Sequence, residues 1–167
     1  MKTDKKTFLR SCLVLAIGLL SATAGAQTAT STFSANLGGF AKLSFSSNAL
    51  SFPDADPDTV PLIAAAGGAI TITAKARASL SATVTLTVLA TDDLRSGVDT
   101  IPAAALTWTG SGAGFVNGTV SRAAPQLVAS WTGSGIRTGT QTYRFQNSWT
   151  YRTGTYSASL VYTLVLP

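Results

Sequence analysis

Alternation of apolar and polar side chains near the carboxyl end, with Val161 and Val165 as the apolar exceptions, constrains the fold of this chain more than any other feature. Between residues 156 and 166 every even-numbered position is Tyr, Ala or Leu, whereas the odd-numbered positions are Ser, Thr or Val. Successive side chains of an extended strand point to opposite faces, so a period of two places the apolar set on one face. The pattern predicts a long strand over 155–166, which we expect to be central or tightly paired because an exposed edge of that length invites aggregation.

The same alternation recurs along the rest of the chain. It begins at Phe33, Ala35 and Leu37 and returns over 70–75 and 83–88, and no segment after residue 26 has the 3.6-residue period of an amphipathic helix. Glycine, proline and aspartate separate the alternating runs. We therefore expect an all-β fold, a single antiparallel β-sandwich of the immunoglobulin-like or pilin-like kind with about eight to ten strands. Asn117-Gly118 predicts a hairpin with a type I′ turn.

The first 26 residues have the composition of an export signal. Four basic residues flank or precede the apolar stretch 12–20, and Ala24-Gly25-Ala26 offers the small side chains of a cleavage site. The apolar stretch is about half the roughly 20 residues that a membrane-spanning helix needs. The sequence thus predicts a cleaved signal helix over 1–26, a β-sandwich domain over 27–167 without a transmembrane segment, and a secreted, periplasmic or cell-surface location.

Removal of the signal changes the charge of the chain. The whole sequence contains 12 Lys and Arg against 7 acidic residues, whereas residues 27–167 keep eight and six, a net charge of +2. The eight basic residues form no run, which argues against nucleic acid as a partner. Such weak charge also gives little repulsion between copies and therefore permits self-association.

The predicted mature domain lacks the residues on which most catalytic sites depend. It contains no His and no Glu, and Cys12 leaves with the signal. This composition excludes Ser-His triads, thiol nucleophiles and the usual zinc sites. A Ser-Lys dyad would need Lys42 or Lys75, and both lie in alternating, strand-like segments. Two aspartates suffice to hydrolyse a glycosidic bond, but nothing in the sequence pairs any two of them. We expect a protein that is not an enzyme.

A five-residue repeat contains two of the three tryptophans. Trp-Thr-Gly-Ser-Gly occurs at 108–112 and again at 131–135. The structural interpretation is a pair of equivalent strand ends, each followed by a glycine turn. The functional interpretation is that Trp108 and Trp131, together with Trp149, present indole faces to a polysaccharide, because an indole combines a large apolar plane with an N–H donor.

The densest group of carboxylates lies between Pro53 and Pro61. Asp54, Asp56 and Asp58 occupy alternate positions there, and several oxygens converging from one turn are what a calcium ion requires. The sixth position of that loop holds no glycine, and no glutamate follows to serve as a bidentate ligand. We favour a proline-stiffened connection between strands over a metal site, and calcium is the one cofactor left open.

Two families of exported bacterial proteins resemble parts of this chain. Thr153-Gly154-Thr155-Tyr156, followed by Tyr162-Thr163-Leu164, resembles the C-terminal strand of WxL-type surface domains, with Tyr162 in place of the tryptophan. The signal, the Ser/Thr-rich strands and a Gly-x-Tyr before the last strand are similar to the pilin-like subunits of the spore coat U type. Both resemblances imply a cell-surface β-sandwich.

The spore coat U resemblance also implies a mode of assembly. Its relatives polymerise when one subunit lends an alternating N-terminal strand to the next, and Phe33, Ala35 and Leu37 would form that assembly strand. Pilin-type domains commonly carry a disulfide, which residues 27–167 cannot form. We expect a structural protein of surface assembly or adhesion, whose partners are further copies of itself or other envelope proteins. The alternative is a module that binds cell-wall polysaccharide through its tryptophans.

Overall fold

Strands form nearly all of the regular structure in the computed structural model, which describes residues 31–167. The expected all-β fold is confirmed. The signal predicted over 1–26 lies outside the described residues, and among those that are described no helix is long and apolar enough to cross a membrane. The elements, in chain order, are β1 (Phe40–Phe45), β2 (Leu62–Ala64), β3 (Ile70–Arg77), β4 (Thr83–Ala90), β5 (Leu94–Ser96), β6 (Asp99–Ile101), a 3₁₀ turn (Ala103–Ala105), β7 (Leu106–Ser111), β8 (Gly118–Thr119), β9 (Gln126–Thr132), β10 (Gly135–Gln146) and β11 (Leu160–Val165).

Two antiparallel sheets pack against each other. The large sheet has the order β1-β3-β10-β7-β8, and β2 pairs with the far end of β10. The small sheet has the order β11-β4-β9, and β5 and β6 form a separate two-stranded ribbon. The expected single antiparallel sandwich is therefore the observed architecture, and residues 36–167 form one compact unit.

Alternation along β3 and β4 builds the core between the sheets. Ile72 on β3 and Val84, Leu86 and Val88 on β4 are fully buried, while the threonines between them face outward. Full burial of each such side chain stabilises the fold by about 1.5–3 kcal/mol. The β-branched threonines suit the outward positions because they pack well on a pleated surface.

The segment around Asn117 does not form the expected hairpin. Phe115 makes a bridge to Ala129 of the small sheet, whereas Gly118 pairs with Trp108 of the large sheet. Asn117 accepts a hydrogen bond from the Gly110 amide through its side-chain oxygen, at 2.8 Å. This segment crosses from one sheet to the other, so tertiary pairing overrides the local turn preference of Asn-Gly.

The last strand is shorter and more peripheral than its alternation predicts. β11 covers six residues and, within the described part of the chain, pairs only with β4 at the margin of the small sheet. Before it, Ser157 makes an isolated bridge to Arg95. The strand is thus not central, but it pairs with β4 along its whole length, and its apolar face turns toward the core.

Candidate assembly groove

Two strands with free edges face each other across one side of the sandwich. Among residues 31–167, β1 pairs only with β3 and β11 pairs only with β4. The Phe45 and Tyr162 rings, one from each strand, have centroids 4.8 Å apart, so the two edges meet through side chains rather than through backbone hydrogen bonds. A free edge presents a row of backbone N–H and C=O groups that another strand can pair with.

An apolar groove of about 470 Å³ opens between these edges. One wall continues from the end of β1 through Leu50 and Phe52, and the other comprises Tyr156 and the first half of β11. Its lining also includes buried side chains that belong to the core, namely Ile70, Leu94, Leu106 and Tyr143. The groove is therefore an opening into the hydrophobic core of the sandwich.

The inward-facing side chains of β11 are incompletely buried because, among residues 31–167, this strand has a neighbour on one side only. Leu160, Tyr162 and Leu164 face inward but remain only half-buried. Tyr162 pairs with Val88 and Leu164 with Leu86, and both β4 residues are fully buried. Inward-facing residues of a sandwich are covered by strands on both sides. The half-burial therefore comes from the missing neighbour on the free side of β11.

A buried polar network ties β11 to the large sheet at the base of the groove. The Tyr162 hydroxyl donates to Gln141 Oε1 at 2.6 Å, and the Tyr143 hydroxyl donates to the Tyr162 oxygen at 2.7 Å. Burial raises the pKa of Tyr162 to about 12, and it raises the pKa of Tyr143 further, helped by the neighbouring Tyr162. Both hydroxyls therefore stay neutral at physiological pH.

The proposed assembly strand is exposed in the structure. Residues 31–39 form no strand, and the side chains of Phe33 and Leu37 are 94% and 70% exposed. Ala35 is exposed as well. The alternation at these positions forms no strand, contrary to the expectation of a half-buried strand.

The three tryptophans occupy different environments. Trp108 and Trp131 are buried, on β7 of the large sheet and β9 of the small sheet. Trp108 donates its indole N–H to the Val116 carbonyl at 2.9 Å, so its polar group is satisfied inside the fold. This burial argues against the functional interpretation of the repeat, in which Trp108 and Trp131 present a face to a ligand. Only Trp149 is exposed, by 70%.

The carboxylates of the acidic segment bind neighbouring donors rather than converging. Asp54 accepts from the Ala55 amide at 3.0 Å, and Asp56 accepts from the Asp58 amide at 2.9 Å. Asp58 accepts the Trp149 indole N–H at 3.0 Å. No group of three His, Cys, Asp or Glu side chains within 31–167 is arranged to hold a metal ion. The observed geometry is that of a hydrogen-bonded connection between β1 and β2.

The second acidic group forms an ion-pair cluster beside the groove. Asp92 pairs with Arg95 and Arg122, and Asp99 pairs with Arg152. The hydrogen bond from Arg95 holds the pKa of Asp92 at about 2, below its ordinary value. The local sequence pattern does not predict this cluster, because Arg122 lies 30 positions from Asp92.

The groove itself was not foreseen from the sequence, although one signal pointed to it. The alternating C-terminal segment forms an edge strand, and a second alternating segment, at 33–37, forms no strand. No protein-family model matches the chain, and no curated protein matches it in sequence either.

Proposed function

We propose that this protein is an exported structural subunit that polymerises at the cell surface or in the envelope, and that residues 27–37 of one copy fill the groove of the next. The proposal rests on two features of the same chain. The sandwich has a free edge at β11, and the alternating segment 33–37 forms no strand. A strand added to the free edge of β11, with its apolar side chains in the groove, supplies the backbone partners and apolar side chains that this side lacks.

The spacing of the segment suits the groove. Side chains two apart on a strand lie about 6.6–7 Å from each other, so Phe33, Ala35 and Leu37 repeat at the same interval as Leu160, Tyr162 and Leu164. The 11 residues of 27–37 extend to about 36 Å, and the six residues of β11 cover about 20 Å. The segment is therefore long enough to run along the whole of β11.

Strand direction favours donation to a second copy. Every pair in the small sheet is antiparallel. A strand added antiparallel to β11 leaves the groove beside Leu160, whereas β1 of the same chain begins at the opposite end, where Phe40 pairs with Arg77. Gly38-Gly39 spans only about 7 Å and cannot bridge that distance. Insertion of the segment into the groove of its own chain would require a strand parallel to β11, and parallel strand pairs are less common than antiparallel ones.

The test compares the mature chain 27–167 with a variant lacking 27–37. The mature chain should form polymers whose size increases with concentration, and the deleted chain should stay a folded monomer that binds a synthetic 27–37 peptide. The deletion leaves the core intact because the buried cluster and the side chains packed on it begin at Leu43. A mature chain that remains monomeric at high concentration with the segment intact contradicts the proposal.

A second candidate function, polysaccharide binding, is supported by Trp149 alone. Its indole is exposed, and the hydrogen bond to Asp58 fixes the ring orientation. A rigid exposed indole is a surface on which sugar rings stack. Retention on cell-wall polysaccharide that is lost in Trp149→Ala and kept in Trp131→Phe would support this function, and equal retention of both variants would count against it.

A further inference from the structure

Four of the five cations that form no ion pair within 31–167 lie together at one end of the sandwich, and the fifth is Arg144. We call the end where β1 begins and β3 finishes the leading end, and the opposite end, where β11 begins, the trailing end. Lys42 and Lys75 are direct partners across β1 and β3, and Arg77 and Arg137 lie nearby on β3 and β10. None of the four forms an ion pair within 31–167, as the pairs found there involve only Arg95, Arg122 and Arg152.

All six aspartates of the described chain lie at the trailing end. One group, Asp54, Asp56 and Asp58, follows Phe52 in the sequence. The other group, Asp92, Asp93 and Asp99, lies on either side of Leu94. Phe52 and Leu94 both line the groove. The trailing end also holds Arg95, Arg122, Arg144 and Arg152, which leaves six negative against four positive charges there. The leading end holds four positive charges and no negative ones, so the subunit has a charge polarity along its strands.

Repulsion between Lys42 and Lys75 destabilises the leading end of an isolated subunit. Like charges at directly opposite positions of an antiparallel pair destabilise the sheet, and both side chains are exposed on its outer face. A negatively charged surface placed against this end would remove the repulsion.

Strand donation brings the two ends of different copies together. The lent segment leaves the acceptor groove at the trailing end, between the two acidic groups, and after Gly38-Gly39 it enters its own leading end at Phe40. Arg77 donates from Nε to the Gly38 carbonyl at 2.8 Å, so a cation is fixed at this connection. The basic end of the donor copy therefore faces the acidic end of the acceptor copy.

We propose that this charge complementarity forms a second contact between successive subunits and sets the direction of assembly. The inference rests on the proposed strand donation. The contact joins unlike surfaces head to tail, which generates an open filament rather than a closed dimer. Its chemistry is lysine and arginine against the carboxylates of a second copy of this chain.

The test uses charge reversal in the mature chain. Lys42→Glu/Lys75→Glu and Asp54→Lys/Asp58→Lys should each raise the critical concentration for polymerisation about five- to tenfold at 50 mM salt, as expected from the loss of two or three surface ion pairs. The variant with all four changes should recover because the charges are reversed together. At 500 mM salt the differences should vanish, since screening then acts over about 4–5 Å.

Arg144→Glu is the matched control. It reverses one positive charge, half the change of the double lysine variant, on an exposed residue of the same sheet face but at the trailing end, and it should leave the critical concentration unchanged or lower it. Binding of the 27–37 peptide to chains lacking that segment should be equal for all charge variants. If the peptide binds and polymers form with the same critical concentration in every variant, the charge contact is refuted while strand donation stands. If the peptide does not bind and no polymer forms, both proposals fail.

Discussion

Tyr143 and Tyr162 belong to different sheets, yet their hydroxyl oxygens lie 2.7 Å apart. Tyr143 is on β10 of the large sheet and Tyr162 on β11 of the small sheet, so this bond joins the two layers at the base of the groove. With Gln141 as the final acceptor, the network holds an edge strand that otherwise has hydrogen-bonded neighbours on one side only. It ties β11 to the large sheet on the side of the groove.

Replacing Tyr162 with phenylalanine should destabilise the monomer by about 1–3 kcal/mol. The change leaves the buried Gln141 Oε1 and the Tyr143 hydroxyl without their partner, and an unsatisfied buried polar group costs its full desolvation energy. Urea denaturation measures the effect. Tyr156→Phe is the control, because its hydroxyl bonds the exposed Arg152 carbonyl and its loss should change the free energy of unfolding by less than about 0.5 kcal/mol. Equal effects of the two substitutions would show that the network is not a stabilising feature.

Alkaline pH should destabilise the fold through the same tyrosines. Burial raises the pKa of Tyr162 to about 12, above the value near 10 of an unfolded tyrosine. The folded state therefore favours the neutral phenol, and this contribution is complete below pH 10 and is lost as the pH rises through 12. Tyrosinate absorbance and the unfolding midpoint, measured between pH 9 and 12, should change together. In Tyr162→Phe the decline of stability should be shallower, and a Tyr162 that ionises near pH 10 in the folded protein would contradict this account.

Gly118→Ala should destabilise the sandwich and perturb the emission of Trp108. A Cβ at residue 118 would overlap the six-membered ring of the Trp108 indole, which is buried and hydrogen-bonded to Val116. Overpacking of this kind costs about 1–3 kcal/mol because the ring must shift from its preferred rotamer. Thermal unfolding and tryptophan fluorescence are the measurements. Gly38→Ala is the control, since a Cβ there meets nothing within 4 Å, and monomer stability should not change.

The all-β fold could be predicted from the sequence because alternation is a local property. The even-numbered residues of β11 do face the core, and the inward positions of β3 and β4 are those of their alternating runs. Register and strand order depend on distant partners, which alternation does not specify. The sequence could therefore not show that the neighbour of β4 would be an edge strand, or that Trp108 and Trp131 would lie inside the sandwich.

The site was predictable only in the segment proposed to be donated. Phe33, Ala35 and Leu37 stood out because their pattern is complete within a few residues. The groove that would receive them is assembled from residues as far apart as Phe45 and Tyr162, and its existence depends on β11 having no second neighbouring strand within residues 31–167. An absence in the tertiary structure leaves no local signature in the chain.

Filling the groove should stabilise the fold in proportion to peptide concentration. A chain lacking 27–37 exposes the half-buried face of β11, and a ligand that binds only the folded state stabilises it by about 2.7 kcal/mol at 100 times its dissociation constant. We expect the melting temperature of this chain to rise with added 27–37 peptide and to continue rising logarithmically after the groove is occupied. A peptide with Phe33→Ser and Leu37→Ser keeps the length and the backbone donors but lacks the apolar side chains, so it should have little effect at the same concentration. If both peptides raise the melting temperature equally, backbone pairing alone accounts for binding and the alternating side chains do not select the segment.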